Sequence, residues 1–106
     1  MRLEMEKGEP LTDPDSRALE AALRTVDGEG NCFALLVSDD DKNHFMQAMG
    51  GPEMFAVEYA EAEQVFRCRD VRLETVIALF HSYRRGSDWW RRGVVWKDVT
   101  GKLDEW

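Results

Sequence analysis

Long apolar runs are missing from this chain. The longest is Cys32–Val37, far short of the ~20 residues that span a bilayer, so no membrane-spanning helix is expected. Cysteine is scarce too. Cys32 and Cys68 fall in no C-x-x-C or Cys/His spacing, which argues against a zinc site, a redox motif or a disulfide framework. Each reads as a small buried thiol within a strand. Histidine is limited to His44 and His81. Neither is paired in the sequence with a nucleophile, and Ser38, Ser82 and Ser87 lack a nucleophile-elbow context. Positive charge is in deficit: 14 Lys and Arg stand against 21 Asp and Glu, a net charge of −7. This argues against direct binding to nucleic acid or an anionic membrane, which want a basic footprint. It suits docking on a basic partner. No repeat, low-complexity segment or linker breaks the 106 residues, so one domain, 1–106, is expected. Met1 to Glu9 alternates charge with Leu3 and Met5, unlike a secretory signal, and this predicts a cytoplasmic protein.

What is present is periodicity. Arg2 to Lys7 alternates as an edge strand, and Gly8 to Thr12 reads as a turn. Asp13-Pro14 is a helix start, with Asp as N-cap and Pro at N1. Leu19, Ala22, Leu23 and Val26 then form a narrow apolar stripe, with Glu20 and Arg24 as an i,i+4 pair opposite. Cys32 to Val37 is apolar on both sides, the pattern of a central strand covered on both faces. His44 to Met49, Met54 to Ala60 and Gln64 to Cys68 follow as strands, separated by Asp39–Asn43, by the Gly50-Gly51-Pro52-Glu53 breaker and by Ala60–Glu63. Asp70 is a suitable N-cap for a second helix. Its Leu73, Val76, Ile77, Phe80 and Tyr83 share one face, with Leu79 at the margin and Ser82 opposite. Gly86 suits the C′ position. After it, Trp89 and Trp90 cannot both lie on one buried helix face. Val94 and Trp96 alternate with Val95 and Lys97, so the tail reads as a flap whose tryptophans close one end of the core. Helix, meander, helix, tail is an α+β pattern: an antiparallel meander of about four to six strands with two amphipathic helices.

Candidate chemistry is sparse. Asp39-Asp40-Asp41 lacks the alternate ligands, glycine and distant glutamate of a calcium loop, so no metal or cofactor is expected. Glu58, Glu61 and Glu63 cluster near one end of the meander. Paired carboxylates do acid–base work when burial or a like charge raises one of them, but this setting reads as solvated surface. Arg84-Arg85 and Arg91-Arg92 flank Trp89-Trp90. Arginines among aromatics can mark a nucleic-acid surface, and here they read as helix C-terminal charge and guanidinium stacking on indole.

In its order of elements the chain resembles the Imm1-type immunity proteins of bacterial polymorphic toxin systems. The shared layout is the strand Arg2–Lys7, the helix after Asp13-Pro14, the strand Cys32–Val37 and the stretch His44–Tyr59 with its Gly50-Gly51 break. It closes with a helix ending in Phe80-His81-Ser82-Tyr83 and a tail centred on Trp96. Trp89-Trp90 and the extension to Trp106 depart from it. The resemblance implies a non-enzymatic inhibitor that binds a cognate protein toxin, of a kind that includes nucleic-acid-acting deaminases and nucleases with basic grooves. An acidic inhibitor complements such a groove, because opposite charge speeds encounter and sets specificity. Charge alone then selects Asp39, Asp40, Asp41, Glu58, Glu61 and Glu63 as the partner-binding set, and a monomer is expected in the absence of partner. Two other classes remain open. A small acidic secretion chaperone predicts a homodimer with apolar grooves that hold an effector protein. A small-molecule-binding domain needs a buried polar pocket, with His81 and Tyr83 as its first suspects. Whether Trp89, Trp90, Trp96 and Trp106 belong to the core or to an interface is left open by the residues alone.

Overall fold

Side-chain alternation in the strands divides one sheet into two unlike faces. The computed structural model describes residues 1–40 and 43–101. Among these the strands are β1 (Arg2–Met5), β2 (Leu11–Thr12), β3 (Phe33–Val37), β4 (Phe45–Gly50), β5 (Phe55–Glu61), β6 (Gln64–Val71) and β7 (Lys97–Asp98), and the helices are α1 (Ser16–Leu23), α2 (Leu73–Arg85) and the short α3 (Trp89–Arg92). The strands form one seven-stranded sheet in the order β2-β1-β3-β4-β5-β6-β7. Every neighbouring pair is antiparallel. This is the α+β class that the sequence predicts, with β3 to β6 as the meander. The sheet is wider than expected because a two-residue strand extends each edge. Gly8 to Thr12 is not simply a turn: Gly8 takes φ 92, the chain reverses, and Leu11 pairs with Leu3. β1 is therefore not the edge. Two-residue edge strands offer little to a stray chain.

The inward face carries Leu3, Ala34, Leu36, Met46, Ala48, Val57 and Tyr59, which form one buried cluster with Leu19 and Leu23 of α1 and Val76, Leu79 and Phe80 of α2. Leu79 is fully buried rather than marginal. None of the described helices is long and apolar enough to cross a membrane.

Both helix starts differ from expectation, for local reasons. Asp13 has φ 45, and its carboxylate takes the Met1 ammonium at 2.6 Å. Asp15 is the N-cap instead, accepting from the Ala18 amide at 2.8 Å. Asp70 does not cap α2. It lies within β6 at φ 57, where a bulge shifts the register from Val57↔Cys68 to Phe55↔Val71. Arg72 holds the N-cap position with no side-chain bond. Gly86 ends α2 as expected, left-handed at φ 74.

The tail docks through a residue that the helical pattern places on the wrong side. Ser82 is buried, and its hydroxyl accepts from the Trp90 amide at 3.0 Å and meets the Ser87 hydroxyl at 2.7 Å. Trp90 is thereby set edge-on to Tyr59 and Tyr83, and Trp96 edge-on to Tyr59. The Trp96 indole N–H donates to the Trp90 carbonyl at 3.0 Å. Trp90 and Trp96 close the core, whereas Trp89 is 43% exposed. Trp106 lies outside the described residues.

Candidate functional site

Among the described residues, helices pack on one face of β3, not two. Its Phe33, Leu35 and Val37 point away from the helices, together with Phe45, Met49 and Ala56, and none of them belongs to the core cluster. Expectation failed here because an all-apolar strand does not say what covers it. The result is an apolar sheet face over which no described element packs.

One cross-strand row runs over this face from β1 to β7. Successive register partners are Glu4, Leu35, Gln47, Glu58, Arg67 and Lys97. Its centre is polar and closed. The Gln47 side-chain amide donates to Glu58 Oε1 and to the Met49 sulfur, both at 3.3 Å. Arg67 Nε donates to Glu58 Oε2 at 2.6 Å, and a second guanidinium nitrogen contacts the same oxygen. The side chains of Glu58 and Arg67 are only 8% and 14% exposed. Apolar residues flank the row. Val37, Phe45, Ala60 and Val65 follow one another on one side, and Phe33, Met49 and Ala56 on the other.

Beside the second flank lies a hollow of about 470 Å³, lined by Met49, Gly50, Met54, Phe55, Ala56, Arg67, Arg69 and Asp70. At this place β6 carries one extra residue, as the register shifts from Val57↔Cys68 to Phe55↔Val71.

The six acidic candidates separate into three groups. Asp39 and Asp40 are exposed between β3 and β4, and Asp39 pairs with the Met1 ammonium. Asp41 lies outside the described residues. Glu63 is exposed in the β5–β6 turn at φ 66. The rung Val37–Phe45–Ala60–Val65 puts both connections at the same end of the sheet. Glu61, at that end, is not part of a solvated cluster. Arg91 grips it with two bonds of 2.8 and 2.7 Å and holds its carboxyl below the usual carboxylate range. Glu58 sits apart from the others, on the face. The sequence reading missed Gln47 and Arg67 as its companions. A signal was there: Gln47 and Glu58 are lone polar residues in the apolar stretches Phe45–Met49 and Phe55–Ala60.

The remaining chemical groups lie elsewhere. His81 stands in a groove between α1 and α2, with Nε2 3.7 Å from Glu20, and its Nδ1 is buried with no hydrogen-bond partner. Tyr83 packs on Trp90 instead, and burial pushes its hydroxyl up to about 12. Cys32 lies just before β3 rather than in it, and its amide donates to Glu6 at 2.9 Å. The Glu6 carboxylate raises the Cys32 thiol, and burial raises that of Cys68, so neither is tuned as a nucleophile. Among the described residues no group of His, Cys, Asp and Glu is placed to hold a metal ion.

No family model, curated protein or solved structure matches this chain.

Proposed function

We propose that this chain is a non-enzymatic immunity protein that binds and neutralises a cognate bacterial toxin domain, and that the sheet face over which no described element packs is its docking surface. The observation that supports this reading is that face: a continuous apolar surface with a closed polar centre and no described element upon it. Contiguous apolar surface rimmed by polar groups is characteristic of protein-interaction sites.

Size and charge choose the kind of partner. Five full strands at ~4.8 Å spacing and ~3.3 Å per residue give a footprint of roughly 500 Å². A stable interface buries about 800 Å² per partner. The partner must therefore reach past the face onto its ends, one of which carries Asp39, Asp40 and Glu63. A second copy would set one charge of −7 against another. A basic protein surface meets both requirements, and complementary charge speeds its encounter. The resemblance of its order of elements to Imm1-type immunity proteins supports a toxin domain as that partner. An uncovered apolar face is also what a secretion chaperone needs, and that reading requires a homodimer in sedimentation.

The test is a growth assay. The C-terminal domain encoded by the neighbouring upstream reading frame is expressed in a naive bacterium, alone, with this protein, or with its Phe45→Asp variant. Relief of toxicity by the native chain and not by the variant is the expected result. Toxicity that the native chain leaves unrelieved, or no toxicity at all, overturns the reading.

A further inference from the structure

Gly93 ends α3 in ordinary right-handed geometry, at φ −70 and ψ −20. Residues with side chains adopt that backbone freely, so the glycine is not there for a turn. Its neighbour explains it. A Cβ at position 93 would lie 2.8 Å from Cη2 and from Cζ2 of Trp89, and 3.0 Å from Cε2. The six-membered ring of the indole therefore rests against the bare Gly93 α-carbon. Yet Trp89 closes no part of the core. It is 43% exposed, and it is Trp90 and Trp96 that pack on Tyr59. A lone exposed ring is ordinary, but an exposed ring with a seat made for it is not. A seated ring has little freedom left to lose when something binds it, which is why rigid aromatics make effective anchors.

We propose that Trp89 is the anchor of a second docking surface, and that its occupant is an acidic peptide segment of a partner protein, carrying an apolar side chain. Charge and hydrogen bonding choose this occupant. Arg84, Arg85, Arg91 and Arg92 flank the ring in sequence, and two of them are spent within the fold. Arg84 donates to the Pro14 carbonyl at 2.7 Å, and Arg91 is held by Glu61. Arg85 and Arg92 are exposed, and among the described residues neither has a hydrogen bond or an ion pair. Arg92 follows Trp89 by three residues on α3, so the two share a side of that turn. The one carboxylate between Arg84 and Val95, that of Asp88, is 76% exposed and stands 3.9 Å from Arg91 Nε. The indole N–H adds a donor. That of Trp96 is taken by the Trp90 carbonyl at 3.0 Å, whereas that of Trp89 has no acceptor among the described residues. Guanidinium groups and an indole N–H only donate, so carboxylates match them. Trp89 and Val95, the latter 89% exposed, offer the apolar contact. This surface adjoins Trp90 on the helical side of the sheet, so it does not rest on the docking reading above. Its charge is opposite to that of the end carrying Asp39, Asp40 and Glu63.

The experiment titrates the full chain with acetyl-Glu-Leu-Glu-Leu-amide and with its counterparts that carry Gln or Lys in place of Glu, while the Trp89 indole N–H is followed by NMR. The acidic peptide is expected to move that resonance and to bind roughly threefold or more tightly than the neutral one, as two exposed ion pairs would give. The preference is expected to fade as salt rises. Arg92→Gln is expected to lower it. Gly93→Ala displaces the ring, and is expected to weaken the acidic peptide roughly threefold while the chain keeps its native circular dichroism. No movement of the Trp89 resonance with the acidic peptide overturns the proposal. So does equal or tighter binding of the Gln or Lys peptide, a native preference in Arg92→Gln, or native affinity in Gly93→Ala. An oligothymidylate that binds at Trp89 more tightly than the acidic peptide assigns the surface to nucleic acid and overturns it. Self-association in sedimentation that Trp89→Ala abolishes assigns it to a second copy and overturns it as well. No toxin is needed for any of these measurements, so failure here is separate from failure of the growth assay.

Discussion

Arg91 and Glu61 are joined by two parallel hydrogen bonds of 2.8 and 2.7 Å, and this pair ties α3 to the end of β5. Arg91 also lies over the Trp90 ring, 4.3 Å from its centroid. Both side chains are partly exposed, at 42% and 33%, so solvent screens the pair. Glu61→Gln is expected to cost about 0.2–1 kcal/mol near neutral pH. Arg91 depresses the Glu61 carboxyl below its ordinary value of 4.5. A depressed carboxylate contributes stability above its unfolded pKa and loses it as pH falls through the folded one. The difference in melting temperature between the native chain and Glu61→Gln is therefore expected to hold above that value and to close as the solution is made more acidic. A difference independent of pH removes the ion pair as its cause.

The Glu58–Arg67 pair predicts a different pattern. Removing the guanidinium leaves the buried Glu58 carboxylate without its counter-charge, so Arg67→Ala is expected to cost about 3–5 kcal/mol. Replacing both with Met is expected to be near neutral. A double-mutant cycle by urea denaturation measures the coupling. Additive single costs would show that the pair is already solvated.

The tryptophans predict a sharp contrast. Trp90 and Trp96 enclose Tyr59 edge-on at 4.6 and 4.7 Å, and truncating either to Ala is expected to cost about 3–5 kcal/mol. Trp89 lies one residue away and is 43% exposed, so Trp89→Ala is expected to stay within about 0.5 kcal/mol. Thermal melts of the three variants check this directly. An equal loss for Trp89 would place its ring in the core.

These particulars show where sequence was enough. The strands β3 to β6 follow from short apolar or alternating runs set between turn residues, and most of the buried face of α2 from its helical period. The Gly86 end and the split fate of Trp89 and Trp90 follow from local geometry. Helix starts were misplaced because capping depends on what else the carboxylate finds. Asp13 finds the Met1 ammonium, and Asp70 is turned into a bulge by pairing across to β5. Ser82 was misassigned because its partner, the Trp90 amide, comes from the next element. The acidic candidates were chosen by charge, which ignores burial. Glu58 and Glu61 were thus grouped with solvent-facing residues, and Gln47 and Arg67 went unseen. The second face of β3 is not legible because an apolar run reads alike under a helix layer and on a face over which no described element packs.

The acidic end predicts kinetics more than affinity. If Asp39, Asp40 and Glu63 face a basic partner, their reversal to Lys slows association and leaves dissociation nearly unchanged, since rim charges act chiefly on encounter. With the toxin domain from the growth assay immobilised, surface plasmon resonance is expected to show the native association rate falling as salt rises and the reversed variant losing most of that dependence. The same salt dependence in both proteins excludes this end from the interface.

The β5–β6 turn offers the last prediction. Ala62 and Glu63 sit at φ 51 and 66, the left-handed pair of a tight hairpin turn that favours Asn-Gly. Neither residue suits it, and a side chain there is strained by up to about 1 kcal/mol. Ala62→Asn with Glu63→Gly relieves that strain and is expected to raise stability by about 0.5–1 kcal/mol, less the entropy that glycine adds to the unfolded chain. Strain retained at an exposed turn is a reason to look for function there, and the double change also removes a rim carboxylate. A variant that melts higher yet associates more slowly with the toxin domain shows that Glu63 is kept for binding at the expense of the fold. A variant that melts higher and associates at the native rate leaves Glu63 outside the interface, and the partner would then meet this end through the connection between β3 and β4.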